Sequence, residues 1–335
     1  MVSTWVPPGF FQSSTPLALC TAAPIVLARR TRAVRVAVTA TAALGLVLMT
    51  AWLLSVADPR GRERLASTPL YADNFSGWDE VATAVRVRLA SMPAGTRIVA
   101  DNFMLGAQLS LALGRRDVQV LAHPLNVKHG RATQLAAWGL LRERLGGAAP
   151  RLLVVEDTAR PMKERYAAYQ ALCARVGALP PPEVLNVDHG RKRFLLFATG
   201  EATGCSTPAL AWIESPAPAD TAGTGTITVR GWALKAGTGI RRVDVTLDGE
   251  VVARARYGQS RPDVIDYWTH APFEPAVARV GFTAEVDLSG RPPGPAWLGL
   301  VIHGRDGSVE PWPEQPLRIE VGAATAPAAD AQGRR

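Results

Sequence analysis

The chain has 335 residues, 47% hydrophobic and 20% charged, a length that suits a membrane segment followed by two folded soluble units. Its formal net charge of +8 raises nucleic acid as a partner. However, arginine is spread along the whole chain and no basic block interleaves with aromatic residues, which argues against nucleic-acid binding. A basic surface of this kind better suits anionic lipid headgroups or lipid phosphates.

The first strong element is the uncharged apolar stretch at residues 36–57, which follows an arginine-rich segment. A helix of this length covers roughly 33 Å, enough to cross a hydrocarbon core of about 30 Å. The stretch therefore predicts a membrane span. A cleaved signal peptide is the competing interpretation, because Ser55-Val56-Ala57 resembles a cleavage site. The apolar core is nevertheless long for a signal peptide and begins late.

A weaker apolar stretch at residues 6–28 is interrupted by prolines. If it also spans, residues 1–60 form a transmembrane helical hairpin whose turn is the arginine-rich segment 29–35. Short arginine-rich loops stay cytoplasmic, so the soluble body is exported whether one or two segments span. We therefore predict an inner (cytoplasmic) membrane location, with the lipid bilayer as a partner and the soluble domains on the periplasmic, extracytoplasmic side.

Residues 61–200 alternate between helical and strand patterns. The short buried runs that predict strands are at residues 97–100, 118–121, 152–155 and 194–197. The helical patterns between them are at residues 78–90, 103–113, 132–145 and 162–176. Asn102 and Gly114 suit the two ends of the second of these helices. This alternation predicts an α/β domain with a mostly parallel sheet.

The pattern changes after residue 200. Residues 201–225 are rich in Pro, Ala, Thr and Gly and predict a linker, within which the apolar residues 210–213 could dock on a folded unit. Residues 226–322 contain short alternating strands with turn signals such as Asp248-Gly249, which predict an antiparallel β-sandwich. Residues 323–335 predict a disordered tail. The fold class is therefore multi-domain: a membrane hairpin, an α/β domain and a β-sandwich.

The densest group of polar residues follows two predicted strands, at the sheet edge where ligands bind in open α/β folds. The candidate ligand-binding residues are Asp101, Asn102, His123, Asn126, Lys128, His129 and Arg131. The basic members could hold a phosphate or a sugar. In the alternative interpretation, Asp101 and Asn126 cap loops and helices, and the basic residues face solvent or lipid headgroups.

The sequence predicts no catalytic residue, no metal ion and no cofactor. It contains no set of nucleophile, base and orienting group, no Walker loop, no complete G-x-G-x-x-G and no zinc-like Cys–His spacing. Two lesser candidates are the basic turn at residues 188–193 and the acidic pair Glu156-Asp157 at a strand end. For both, a structural role is the leading interpretation.

Aromatic residues of the sandwich could stack on a sugar, although aromatics at alternating strand positions are more often core. They are Trp232, Tyr257, Tyr267, Trp268, Trp297 and Trp312. Cys173 and Cys205 could form a disulfide in an oxidising, exported location, and two unpaired thiols are the alternative.

Several segments between Trp5 and Phe197 carry a family resemblance. They are TWVPPGFF, RRTRAVR, YADNFSGWDEVATAVRVRL, IVADNFMLGAQLSLALG and HPLNVKHGRATQLAAWG. Together they resemble the C-terminal portion of a bacterial membrane glycosyltransferase of the protein-mannosyltransferase and aminoarabinose-transferase type. The later segment GWALKAGTGIRRVDVTLDG looks like an immunoglobulin-like module of bacterial envelope enzymes.

The resemblance implies transfer of a sugar from a polyprenyl-phosphate carrier on the extracytoplasmic face. In the family that the chain resembles, the acidic catalytic residues belong to an early extracytoplasmic loop, which has no counterpart in this sequence. We therefore expect the chain alone to be inactive. The implied partners are an upstream catalytic membrane domain and a polyprenyl-phosphate sugar or envelope glycan. The alternative is a stand-alone, membrane-anchored envelope protein that binds glycan or a protein partner.

Overall fold

The computed structural model describes residues 31–147, 149–200, 204–217, 220–267, 278–312 and 318–321. The chain divides into two units, residues 1–61 and 62–335. In the first, helix α1 (Arg32–Ala57) is the one described helix long and apolar enough to cross a membrane. It contains the predicted span at residues 36–57. The weaker stretch at residues 6–28, and with it the predicted hairpin, lies outside the described residues. A short helix, α2 (Pro59–Leu65), follows.

The second unit contains a mixed sheet whose described strands lie in the order β3-β2-β1-β4-β6-β5. These strands are β1 (Arg97–Ala100), β2 (Gln119–Leu121), β3 (Leu141–Arg142), β4 (Arg151–Glu156), β5 (Glu183–Val187) and β6 (Lys192–Thr199). β1 pairs in parallel with β2 and β4, and β3 pairs in parallel with β2. β6 is antiparallel to both β4 and β5. The sheet is thus parallel on one side and ends in a hairpin on the other.

Helices cover both faces of this sheet. They are α3 (Trp78–Ala90), α4 (Phe103–Leu113), α5 (Pro124–Lys128), α6 (Arg131–Ala137) and α7 (Met162–Val176). Val85 of α3 and Leu105 of α4 share one buried cluster with Phe194 of β6. Tyr169 of α7 and Phe197 of β6 belong to a second cluster. The helical and strand periodicities of the sequence therefore give the expected α/β layers.

One predicted helix is much shorter in the structure. The helix expected over residues 132–145 is wrong beyond Ala137, where α6 ends. Gly139 adopts φ +67°, a left-handed conformation that glycine takes without steric cost, and it terminates the helix. Leu141 and Arg142 then pair with β2 as an edge strand. The continuous apolar pattern thus conceals a turn and a strand.

The remainder of the second unit is a largely antiparallel β-sandwich, in which one edge pair of strands is parallel. One sheet has the order β11-β10-β14-β16-β8, with β15 also paired to β14, and the other has the order β12-β13-β9-β7. The strands are β7 (Leu210–Ser215), β8 (Thr221–Ala222), β9 (Thr226–Leu234), β10 (Ile240–Leu247), β11 (Glu250–Arg254), β12 (Arg256–Gln259), β13 (Gly281–Asp287), β14 (Gly294–Gly304), β15 (Val309–Trp312) and β16 (Arg318–Val321). A short helix, α8 (Pro262–Tyr267), follows β12. Val245 of β10 and Phe282 of β13 belong to the same buried cluster.

The segment predicted as a linker contributes to the sandwich. Strand β7 lies within residues 201–225 and pairs with β9 over most of its length. Ala209, Leu210 and Ala211 are fully buried, so this segment is core despite its Pro-, Ala- and Thr-rich composition. The predicted tail at residues 323–335 lies outside the described residues.

A disulfide and a buried charge cluster join the α/β layer to the sandwich. Cys173 of α7 and Cys205 form a disulfide with Cα atoms 6.1 Å apart. Arg193 of β6 is 0% exposed, and its Nε lies 3.7 Å from Asp157 Oδ2 and its Nη2 3.9 Å from Glu310 Oε2. Glu310 in turn accepts from Lys235 Nζ at 2.6 Å. The two layers therefore share one buried interface.

Candidate functional site

The parallel part of the sheet creates a crevice between β1 and β4. The chain passes from β1 to β2 and β3 in one direction, whereas β4 lies on the other side of β1. Such a reversal of strand order is where open α/β sheets bind ligands, outside the carboxyl ends of the strands. A cleft of about 590 Å³ opens here, lined by residues that include Met104, Leu125, Glu156, Arg160, Lys192 and, from the sandwich, Trp212.

Arg160 is the lining residue of this crevice that contacts the predicted site residues. Its Nη2 lies 3.2 Å from Asp101 Oδ2 and 2.6 Å from His123 Nε2. Its side chain is 20% exposed. Among the hydrogen bonds of the described residues, none involves its Nε or Nη1. Arg160 therefore holds two predicted site residues together and retains donors for a ligand.

Burial shifts the pKa values of the two residues beside Arg160. Desolvation raises the pKa of Asp101 to about 7, although the positive charge of Arg160 acts in the opposite direction. Desolvation, together with Arg160 and Arg175, lowers the pKa of His123 to about 4. His123 is therefore neutral at neutral pH, with the Leu125 N–H facing its Nδ1 and Arg160 Nη2 facing its Nε2. A neutral imidazole accepts a hydrogen bond at only one of these two nitrogens.

The two asparagines of the predicted set have structural roles. Asn102 Oδ1 accepts from the N–H groups of Met104 and Leu105 at 2.9 and 3.0 Å, which confirms it as the N-cap of α4. Asn126 is 0% exposed, and its Nδ2 donates to Leu121 O at 2.9 Å. Its Oδ1 accepts from a backbone N–H at the start of α4, again at 2.9 Å. Both amide ends of Asn126 are thus used by the backbone.

Lys128, His129 and Arg131 are exposed around the junction of α5 and α6. The His129 ring lies 5.4 Å from the Phe103 ring. Arg131 lines a separate groove of about 1080 Å³ between α4 and α6, together with the 63%-exposed Trp138. The structure therefore brings Asp101 and His123 together with Arg160 but places Arg131 in another groove.

The basic turn at residues 188–193 contacts its neighbours on several sides. Asp188 has φ +48° and accepts from Tyr71 Oη at 2.6 Å, and burial raises the pKa of its carboxyl. His189 stacks on Trp297 with ring centroids 3.7 Å apart, and its Nε2 lies 2.8 Å from Glu63 Oε1. These contacts support the structural role expected for this turn.

The acidic pair at the end of β4 is buried and ion-paired. Glu156 Oε1 lies 3.1 Å from Lys192 Nζ, and burial lowers the pKa of that lysine. Asp157 Oδ1 accepts from Tyr169 Oη at 2.5 Å, and its Oδ2 lies 3.5 Å from Arg165 Nη1. Glu156 lines the crevice, whereas Asp157 belongs to the buried interface with the sandwich.

A second pocket, of about 400 Å³, lies on the sandwich beside the crevice. Its aromatic lining comes from Trp212, Trp232 and Tyr267. The other aromatic candidates have other roles: Trp312 is buried under Arg193, Trp297 stacks on His189, and Tyr257 Oη donates to Ala233 O at 2.9 Å. Trp268 lies outside the described residues.

The sequence did not single out Arg160 or Trp212 as lining residues, and it gave Lys192 only as part of the basic turn at residues 188–193. Arg160 follows the predicted strand at residues 152–155, so its position at the same sheet edge as Asp101 was a usable signal. Trp212 lies in the segment predicted as a linker, where residues 210–213 suggested docking but neither a strand nor a place in the crevice. No group of three or more His, Cys, Asp or Glu side chains that could hold a metal ion occurs among the described residues.

Among the described residues, the structure combines one helix long and apolar enough to cross a membrane with an α/β layer and a β-sandwich. No protein-family model matches the chain, and no curated protein matches it. Among solved structures it is similar to the fibronectin(III)-like modules of Clostridium thermocellum CbhA, with 17% identity over 33% of this chain and 94% of that one, at a TM-score of 0.22.

Two further solved structures show comparably weak likeness. Domains 4 and 5 of the S-layer protein SbsC share 12% identity over 43% of this chain and 66% of that one, with a TM-score of 0.19. The endo-β-1,4-mannanase from Thermotoga petrophila shares 9% identity over 73% of this chain and 60% of that one, with a TM-score of 0.23. Likeness at this level carries no inference about activity.

Proposed function

We propose that the chain is the largely extracytoplasmic part of a membrane glycosyltransferase system. In this proposal α1 anchors the chain in the inner membrane, and the crevice between β1 and β4 holds the phosphate-linked sugar of a polyprenyl carrier. The Cys173–Cys205 disulfide supports an oxidising, exported location. The membrane-length apolar helix supports attachment to the bilayer that carries such a donor.

Arg160 is the observation that carries the proposal. A guanidinium makes charge-assisted hydrogen bonds to phosphate, and the Nε and Nη1 of Arg160 are each available as a single donor within the described part of the chain. Basic side chains also outnumber acidic ones among the described residues that line the cleft. The basic ones are Arg160, Arg165, Arg191 and Lys192, and the acidic ones are Asp73 and Glu156.

The proposed role is to hold the donor or acceptor, with an upstream catalytic membrane domain as partner. In the crevice, the buried Glu156 is paired with Lys192, and the neutral His123 faces Arg160. Neither is paired with a nucleophile in the described structure. We therefore expect no sugar transfer when the purified full chain is incubated with polyprenyl-phosphate-linked sugars. Turnover in that assay would contradict an accessory role.

Binding to the full chain in detergent micelles tests the ligand. The probes are decaprenyl phosphate, decaprenol and mannose 1-phosphate, measured by calorimetry at a fixed detergent concentration. We expect decaprenyl phosphate to bind and decaprenol not to bind. If mannose 1-phosphate also binds, the sugar phosphate is sufficient for recognition. If decaprenyl phosphate binds and mannose 1-phosphate does not, the polyprenyl tail of the lipid contributes to binding.

Variants at Arg160 complete the test. Arg160→Met should weaken binding of decaprenyl phosphate at least tenfold, and Arg160→Lys should weaken it less, because a lysine keeps the charge but loses the separate Nε and Nη1 donors of the guanidinium. Arg88→Met removes an exposed arginine that pairs with Glu183 and should leave binding unchanged. Equal binding of decaprenol and decaprenyl phosphate, or an unchanged affinity of a folded Arg160→Met protein, would overturn the proposal.

A further inference from the structure

The pocket on the sandwich is built from aromatic rings held in register. Trp212 of β7 and Trp232 of β9 are direct partners in the antiparallel pairing of their strands, so their side chains lie on the same face of the sheet. Trp212 is half-buried, and Tyr267 at the end of α8 is 58% exposed. The pocket therefore presents aromatic surface that the core does not cover completely.

Charged oxygen atoms form the rim of this pocket. Arg261 donates to both carboxylate oxygens of Glu214, at 2.8 and 2.7 Å, and to both of Asp263, at 2.9 and 2.6 Å. These hydrogen bonds lower the pKa of Asp263, so this carboxylate stays ionised. Each carboxylate has further lone pairs that can accept from the hydroxyl groups of a ligand.

This combination suits a pyranose ring. The C–H groups on one side of a pyranose are weakly positive and pack on the negatively polarised face of an indole, while its hydroxyls need acceptors. The pocket volume of about 400 Å³ is within the range of small-molecule sites. An anionic ligand is less suited to this pocket, because two carboxylates and the single guanidinium of Arg261 leave its rim with a net negative charge.

The aromatic pocket is continuous with the crevice of the α/β layer. Met162 and Trp212 line both cavities, so a ligand could extend from Arg160 to Tyr267 without leaving the surface. We propose that the pocket formed by Trp212, Trp232 and Tyr267 is a subsite for a neutral pyranose, and that a glycan lies along this shared groove. The subsite deepens the proposed function, since its glycan would be part of the ligand held at Arg160.

The test uses neutral oligosaccharides, which do not depend on Arg160 for charge. Linear tetraoses of glucose, mannose and galactose are titrated into the full chain in detergent, followed by calorimetry. We expect at least one of them to bind. Trp212→Leu and Tyr267→Ala should each weaken that binding at least tenfold, whereas Trp138→Leu, which removes an exposed tryptophan of the other groove, should not.

The outcomes separate this proposal from the previous one. Binding of a tetraose that is lost in Trp212→Leu but kept in Arg160→Met supports the subsite, even if decaprenyl phosphate fails to bind. Binding of decaprenyl phosphate with no binding of any tetraose overturns the subsite and leaves the proposed function intact. Because Tyr267 is exposed, Tyr267→Ala should fold normally, so unchanged affinity in that variant also overturns the subsite.

Discussion

The guanidinium of Arg193 lies over the indole ring of Trp312, with its Cζ 3.8 Å from the ring centroid. Arg193 comes from the α/β sheet and Trp312 from the sandwich, and both are fully buried. A cation over an aromatic face is strongest where water is excluded, as it is here. The contact therefore fixes the orientation of the sandwich against the edge of the crevice that Trp212 lines.

Replacing Arg193 by methionine should destabilise the whole second unit. The change leaves Asp157 and Glu310 buried with one cation fewer, and loss of one partner of a buried ion pair costs about 3–5 kcal/mol. The free energy of unfolding of the full chain in detergent, from urea titration followed by tryptophan fluorescence, measures this loss.

The matched control for Arg193→Met is Arg88→Met. Arg88 and Glu183 are both substantially exposed, so their pair should contribute no more than about 1 kcal/mol. A loss of stability at Arg193 as small as that at Arg88 would show that the buried charges do not depend on it.

The crevice gives two opposite dependences of stability on pH. The pKa of Asp101 is raised from 3.8 to about 7 in the folded protein. Its contribution to folding stability is therefore complete below the unfolded-state pKa and is lost as the pH rises through the folded-state pKa. The pKa of His123 is lowered from 6.5 to about 4 in the folded protein. Its contribution to folding stability is therefore complete above the unfolded-state pKa and is lost as the pH falls through the folded-state pKa.

Removing either group should expose the effect of the other. Asp101→Asn should lose stability relative to the wild type as pH falls from about 7 to about 4.5, because the loss of stability caused by His123 is no longer offset by the gain from Asp101. His123→Gln should gain relative stability over the same range. Unfolding free energies at several pH values check both slopes. Parallel curves for the wild type and both variants would contradict the assignment.

The disulfide should contribute measurably to stability. Cys173 and Cys205 are separated by 32 residues, and closing a loop of that size stabilises by roughly 3–4 kcal/mol in the chain-entropy model. A reducing agent should lower the unfolding midpoint of the wild type and leave the double variant Cys173→Ala, Cys205→Ala unaffected. An equal response of both proteins would argue for unpaired thiols.

Local sequence signals predicted much of the α/β layer. The strand at residues 97–100 and the helices at 103–113 and 162–176 have the expected bounds, because their periodicity and flanking caps are local properties. The end of α6 was missed because the turn at Gly139 interrupts an apolar pattern that continues beyond it. Strand β7 was missed because its composition is that of a linker and its burial depends on pairing with β9.

The site was predicted less completely than the fold. Asp101 and His123 follow neighbouring parallel strands, and strand geometry brings such residues together. Arg131 is adjacent to the same segment in sequence but lines another groove, because two short helices redirect the chain after His123. Trp212 could not be assigned, since it joins the crevice only through the packing of the sandwich against the α/β layer.

The close approach of α4 to β2 requires a glycine at position 106. A Cβ atom there would lie 2.6 Å from Val120 Cγ2, well inside van der Waals contact. Gly106→Ala gains about 1 kcal/mol of helix propensity, but overpacking of a buried site costs about 1–3 kcal/mol, so we expect a net loss of stability.

A double-mutant cycle identifies steric crowding as the cause of that loss. Val120→Ala alone should destabilise by leaving a cavity, but combined with Gly106→Ala it makes room for the new methyl group. The double variant should therefore lose less stability than the two single variants add up to. Gly146→Ala is the control, because a Cβ atom at that position meets nothing within 4 Å. If the stability losses at positions 106 and 120 were strictly additive, crowding between the two side chains would not be the cause, because α4 and β2 could then move apart at no cost in stability.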